Sequence, residues 1–294
     1  MFSSLFFQLQ QCINLLILVL LGYTAANIQL SIPSLIIALL FSVVWEHLLI
    51  YFSKGEITYF SFSSMITALG VVLMVVTPHL WILIVLIALG LLQKYVLTWE
   101  KKHFFNPSNF ALMMGLLFFY HDAHIVLGQL GDSFWLLGLT LFLAVMILYR
   151  VERWIISLSF SLFYLALQYF LIVSSDPVLI MEDVLYRFYS VSFVVFVLFM
   201  LTDPRTTPQS GGGQLVFAFA VALCATVLDY WHGFRVQHLF MALFVLSPLA
   251  VFSAKGKALV RKKRVLVFGT ILVLLALGAI IYIENQPPYY FEMD

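Results

Sequence analysis

Charge is what this sequence has least of. Charged residues make up 10% of it, against about a quarter in soluble domains, while hydrophobic residues reach 63%. Water does not solvate such a surface and a bilayer does, so a soluble globular fold is excluded. Cysteine is scarce as well. Cys12 and Cys224 both fall in apolar runs, lack the CxxC spacing of a metal site, and read as small buried apolar residues. No Walker motif, dinucleotide fingerprint or HExxH helix is present, which excludes a transporter subunit carrying its own ATP motor. Every hydrophilic stretch is short, so any chemistry takes place in or at the membrane. Residues 1–11 show no basic n-region, and no cleavage site follows the first apolar run, so residues 14–26 read as a retained helix rather than a signal peptide.

What is present is apolar length. Eleven apolar stretches stand out, at about 9–26, 33–53, 61–77, 79–97, 106–120, 134–149, 154–175, 182–201, 211–228, 236–253 and 265–283. The sequence therefore predicts an all-α, polytopic transmembrane bundle of about eleven spans, one integral membrane domain over residues 1–294. Several stretches fall short of the roughly 20 residues a crossing needs, which predicts tilted, half-spanning or re-entrant segments. Basic residues follow the even-numbered stretches: Lys54, then Lys101 and Lys102, Arg150 and Arg153, Arg205, and the run from Lys255 to Arg264. Arg235 is the exception. By the positive-inside rule the even loops and the N-terminus are cytoplasmic and the C-terminus is outside. In this setting the run 255–264 is a juxtamembrane anchor rather than a nucleic-acid patch.

Three segments interrupt the apolar pattern with polar chemistry. Residues 103–111, HFFNPSNFA, open the fifth stretch. Asn106 sits where an N-cap belongs, and Pro107 lacks an N–H that would go unpaired there anyway. A capped helix start is the plainer reading. Asn109, however, points one turn into the membrane, where an unpaired amide is costly, and this favours a partner or ligand. Residues 200–208, MLTDPRTTP, are followed by Gly211–Gly213. A turn between spans is the plainer reading here, yet Thr202, Asp203, Arg205, Thr206 and Thr207 supply more polar groups than a turn needs. Ser63, Ser64 and Thr67 open the third stretch, five spans before the one ending in Thr202. An odd offset gives two halves opposite orientation, so inverted five-helix repeats are expected, at about 9–131 and 134–253, with 265–283 as an extra helix.

Other polar residues weigh less. Glu46 and His47, in the second stretch, are either an interfacial pair beside Trp45 or a functional acid. Lys94 is expected to snorkel from the end of the fourth stretch, and Arg187 to pair with Asp183 or Glu182. Of the seven histidines only His47 sits well inside a stretch, which disfavours a b-type haem needing paired axial ligands. No metal site and no acid–base catalyst is expected.

At these landmarks the sequence resembles the NqrB/RnfD family, membrane subunits of the sodium-translocating NADH:quinone reductase and of the Rnf electron-transport complex. SMITALGVVL (64–73), FFNPSNFAL (104–112) and MLTDPRTTP (200–208) carry the resemblance, in order, over roughly residues 60–253. It also reaches stand-alone RnfD-like proteins labelled UnbU-like. The resemblance implies two inverted five-helix repeats related in architecture to urea-channel-like folds. It implies flavin too: FMN esterified to a threonine of an SGAT-type motif or, in some members, bound riboflavin. Three departures matter. No SGAT is found, and Ser174-Ser175-Asp176-Pro177-Val178 stands where it would be sought. Arg205 replaces a valine after TDP. An eleventh span is added.

The expectation is an RnfD/NqrB-like subunit of the bacterial inner membrane that binds FMN or riboflavin non-covalently for transmembrane electron transport. Ser63, Ser64, Thr67 and Pro107 would line the site. Asn106, Asn109, Thr202, Asp203, Thr206 and Thr207 would bond the flavin's polar edge, and Arg205 would meet an anionic flavin or a phosphate. Expected partners are the bilayer, other electron-transport subunits and the flavin, with no nucleic acid. Two rivals stand beside it: a flavin- or vitamin-like small-molecule transporter or channel on the same fold, and a scaffold subunit.

Overall fold

A computed structural model describes residues 2–24, 30–55, 62–99, 102–128, 138–139, 142, 153–174, 180–253 and 262–287. The sixth apolar stretch, 134–149, falls almost wholly outside the described residues. Among the described residues four helices are long and apolar enough to cross a membrane: Ile32–Lys54 (α2), Trp154–Ser174 (α6), Gly211–His232 (α9), and Val267–Glu284 within Lys262–Glu284 (α11). Phe2–Thr24 (α1), Leu80–Val96 (α4) and Gln237–Ser253 (α10) add further apolar helices. The fold is an all-α, multi-pass membrane bundle.

The helices are patterned inside out. On α2 the buried stripe is Leu35, Ala38, Ser42, Glu46 and Ile50, at helical spacing, while Ile36, Ile37, Leu40 and Val44 face outward. On α6 the buried stripe includes Ser157, Tyr164 and Gln168, while Leu158, Leu162 and Phe170 are exposed. Exposed apolar faces of this size are stable against lipid, which leaves the polar residues to find one another inside.

Local chemistry sets the ends. Ser31 accepts from Ser34 N–H at 3.3 Å, Pro33 occupies the first turn of α2, and Gly55 closes it at φ 70°. Ser63–Met74 (α3) and Pro107–Phe118 (α5) have only 12 residues each, about 18 Å of rise against a hydrocarbon core of about 30 Å. α5 is wedged between α3 and α4 because two glycines make room. A Cβ on Gly90 would lie 2.6 Å from the Pro107 carbonyl oxygen, and one on Gly70 would lie 2.6 Å from Ser108 Oγ.

The eighth stretch, 182–201, is not one span. It divides into Met181–Phe188 (α7) and Val191–Val195 (α8), which runs on as a π-helical turn over Phe196–Met200. Ser190 makes the break, since its hydroxyl accepts from Phe193 N–H at 3.1 Å as an N-cap. The backbone exposed at such a break must be satisfied inside the protein. An extended segment after α5 does this. His124–Ile125 (β2) pairs antiparallel with Val75–Val76 (β1), which follows α3, and Val126 N–H donates to Met74 O at 3.0 Å. The same segment accepts at Leu127 O from Ser192 N–H (3.0 Å) and at Gly128 O from Val191 N–H (2.7 Å). It thus joins the C-terminus of α3 to the N-terminus of α8.

Candidate functional site

Two polar clusters lie at opposite ends of α9, a helix of 22 residues and so about 33 Å long. Asp203, in the loop before α9, centres one. Asp229, near its far end, centres the other.

At the Asp203 end the structure gathers all three polar segments read from the sequence. Asn106 caps α5, its Oδ1 accepting from Ser108 N–H (3.1 Å) and Asn109 N–H (3.2 Å), with Pro107 in the first turn. Its Nδ2 donates to Asp203 Oδ2 at 3.3 Å, and His103 Nε2 lies 3.3 Å from the same oxygen. Arg205 N–H donates to Asp203 Oδ1 at 2.9 Å. Ser108 donates to Thr67 O at 3.2 Å, which ties the start of α5 to α3. Thr207 donates to Asp203 O at 2.7 Å, Thr206 to the same carbonyl at 3.4 Å, and Thr202 to Leu198 O. Ser157 takes the neighbouring Val197 carbonyl at 3.0 Å, so hydroxyls complete the last turn before the loop. Arg153 reaches in from the start of α6 to Pro208 O and to Thr207 Oγ1 (3.4 Å). Ser64 is fully buried on α3, and Arg205 extends its side chain at the exposed rim.

Burial of the Asp203 carboxyl opposes its ionisation. The His103 hydrogen bond, the His103 charge, the Arg205 amide and the Arg205 guanidinium outweigh that burial and hold the carboxyl below its ordinary value.

One residue departs from the sequence expectation at this end. Lys94 does not snorkel. Its side chain is 6% exposed, pairs with Glu46, and donates to Ser63 Oγ at 2.7 Å. The reason is packing: α4 turns this side toward α2, where Glu46 offers a buried carboxylate. His47 instead keeps its Nδ1 2.7 Å from Val43 O.

Several buried acceptors stay open here. Gln93 donates to Phe105 O (3.0 Å), Asn109 to Phe240 O (3.2 Å) and Gln214 to Pro208 O (3.5 Å). The three amide oxygens, Gln93 Oε1, Asn109 Oδ1 and Gln214 Oε1, have no partner among the described residues, nor has Glu46 Oε2. Beside them Phe105 stacks on Phe244, 4.6 Å between centroids, with Phe110 against both. The threonine and Ser108 hydroxyl protons, by contrast, are committed to main-chain carbonyls. Gln93 and Gln214 escaped the sequence reading, and the signal was available: each is an amide in an otherwise apolar helix.

The Asp229 end also escaped it. Arg187 pairs not with Asp183 or Glu182 but with Asp229 Oδ2, at 3.2 Å, and its guanidinium lies 3.4 Å from the centre of the Phe234 ring. Asp183 is occupied as a cap, accepting from Ile180 N–H at 3.2 Å. Tyr164 (3.0 Å) and Gln168 (2.7 Å) donate to the same Asp229 oxygen. His238 sits at the second position of α10, fully buried, its Nδ1 2.7 Å from Asp229 Oδ1. Arg235, the exception to the charge alternation, pairs with Glu284 of α11 at 3.2 Å. These links cross between helices, so no spacing along the chain announces them.

The fold and these clusters define a multi-pass helical membrane protein whose shortened helices end inside the bundle among polar side chains. Residues 88–249 match the NQR2, RnfD, RnfE family, more than half of the chain, and the chain belongs to that family. Among curated proteins none matches it. The match contains the segments 104–112 and 200–208 and both aspartates, and leaves out α1 to α3 and α11. The family suggests a membrane subunit of electron-transport complexes. The stretch in which an SGAT-type motif was sought, 174–178, lies outside the described residues from Ser175 on.

Proposed function

We propose that the chain is a membrane subunit of an electron-transport complex and that it holds a flavin, FMN or riboflavin, non-covalently at the Asp203 end. The observation that carries this reading is the set of buried, unpartnered amide oxygens on Gln93, Asn109 and Gln214. An isoalloxazine ring brings an N–H and a ribityl chain brings hydroxyls, the donors that such oxygens need. The Phe105, Phe110 and Phe244 rings offer apolar faces for a planar ring system. When bound, the flavin would supply electron transfer, a chemistry that none of these side chains has. The chain's own part would be to bind and orient: Asn106 and Asp203 hold the two segments together, and Arg205 stands at the rim for a phosphate.

The Asp203 end is read as the cytoplasmic face, since the sequence brings Lys54, Lys102, Arg153 and Arg205 to it. The halves 9–131 and 134–253 are read as inverted repeats. In support, α2 packs on α4 and α4 on α5, as α6 packs on α9 and α9 on α10.

The test is the optical spectrum of the purified protein. A flavin spectrum that bleaches with dithionite and survives gel filtration is expected. Asp203→Ala and Asn106→Ala should each abolish retention. Colourless protein that accumulates a small molecule in proteoliposomes would overturn the redox reading in favour of a transporter. Full retention in both variants would remove the site assignment.

A further inference from the structure

We propose that Asp229, His238 and Glu284 form a proton-binding site, with the proton held on His238 and exchanged through Glu284 with water at that end of the bundle. Three helices, α9, α10 and α11, each bring one member. His238 is fully buried between two carboxylates: Nδ1 is 2.7 Å from Asp229 Oδ1, and Nε2 is 3.3 Å from Glu284 Oε1. That second contact has ion-pair distance but no aligned hydrogen bond, which leaves Nε2 the mobile side of the ring.

The surrounding charges say which state is stable. On Asp229 lie Arg187 of α7 and the neutral Tyr164 and Gln168 of α6. On Glu284 lie Arg235 (3.2 Å), His232 (3.6 Å) and the Gln237 amide (2.7 Å). The His232 ring is 6.4 Å from that of His238. Arg187, Asp229 and Glu284 are buried, while Arg235 is 42% and His232 35% exposed. Arg187 compensates Asp229. Glu284 is compensated from inside only if His238 carries a proton, and an uncompensated buried charge is costly. The buried set is therefore neutral with the proton bound and carries one negative charge without it.

The His238 and Glu284 side chains are 0% and 1% exposed, and water is reached just beyond Glu284, at the rim formed by His232 and Arg235. On release the Nε2–H bond breaks and the proton passes to the Glu284 carboxylate and then to water. Neutral imidazole remains, its Nδ1–H still donated to Asp229, and uptake is the reverse. Glu284 lies on α11, outside the residues of the family match, while Asp229 and His238 lie within it.

The test uses full-length protein in lipid nanodiscs with ¹⁵N-labelled histidine, titrated from about pH 5 to about pH 9. One imidazole should be doubly protonated at neutral pH, and its signal should be missing in His238→Gln. Glu284→Gln, which keeps His238 in place, should lower that midpoint by about one pH unit or more. An unchanged midpoint in Glu284→Gln overturns the proposal, as does the absence of any such imidazole in the wild type. If His238→Gln fails to fold, the comparison of wild type with Glu284→Gln decides. No flavin is needed, so this outcome is independent of the flavin reading.

Discussion

Asp203 and Asp229 stand at the two ends of one helix, each against a histidine, and they do different work. Asp203 keeps 14% of its side chain exposed and bonds an asparagine amide, a main-chain N–H and an imidazole. It organises loops and helix starts, and around it buried acceptors remain open. Asp229 is sealed, paired with an arginine, and bonded by donors from α6, α7 and α10. The difference teaches that polar residues in this bundle serve two ends: one cluster orders loops and helix starts and leaves buried acceptors open, where the flavin is proposed, and the other balances charge between helices.

The largest effect should come from breaking the balanced end. Asp229→Ala leaves Arg187 buried without its counter-ion, a loss of about 3–5 kcal/mol. Thermal melting in detergent should show it, and adding Arg187→Leu should recover part. Equal stability of Asp229→Ala and wild type would erase the contrast between the ends. Next is Gly90→Ala. Its new Cβ falls 2.6 Å from the Pro107 carbonyl, so α5 must move, at about 1–3 kcal/mol, with flavin retention falling alongside. A variant as stable and as yellow as wild type would show that the wedge is not tight.

Asn109→Ala separates ligand from scaffold. It removes one hydrogen bond, to Phe240 O, worth about 1 kcal/mol. Flavin retention should nevertheless be lost, because the open Oδ1 goes with it. The reverse pattern, a large loss of stability with flavin kept, would make Asn109 a structural residue only. The smallest effect is acidic. Asp203 ionises more readily folded than unfolded, where a carboxyl titrates at about 3.9. Its ionised form therefore contributes stability above that pH, and the contribution is lost as pH falls through the lower folded value. The melting difference between wild type and Asp203→Asn should be present at about pH 5 and shrink toward about pH 3. A difference that stays constant would mean that ionisation of Asp203 is not what stabilises.

Much of the Asp203 end was legible because its residues are clustered along the chain. Asn106 and Pro107 announce a helix start, TDPRTTP announces a break, and each is local chemistry. Lys94 with Glu46 was not legible: the partners are 48 positions apart and meet only because α2 packs on α4. The break at Ser190 was hidden inside an apolar run, since a serine cap costs hydropathy little. At the Asp229 end every member was visible as a polar residue in or beside an apolar stretch, but nothing along the chain paired them.

Composition and apolar length by themselves determined that this protein is a helical membrane bundle, because only lipid tolerates so little charge. Short-range motifs determined where helices begin. Tertiary structure alone decided which stretches stop halfway, which buried charges neutralise each other, and which polar atoms are left open. Those outcomes depend on contacts between helices far apart in sequence. In an apolar solvent a polar group's worth is set by the partner it meets, not by its neighbours in the chain.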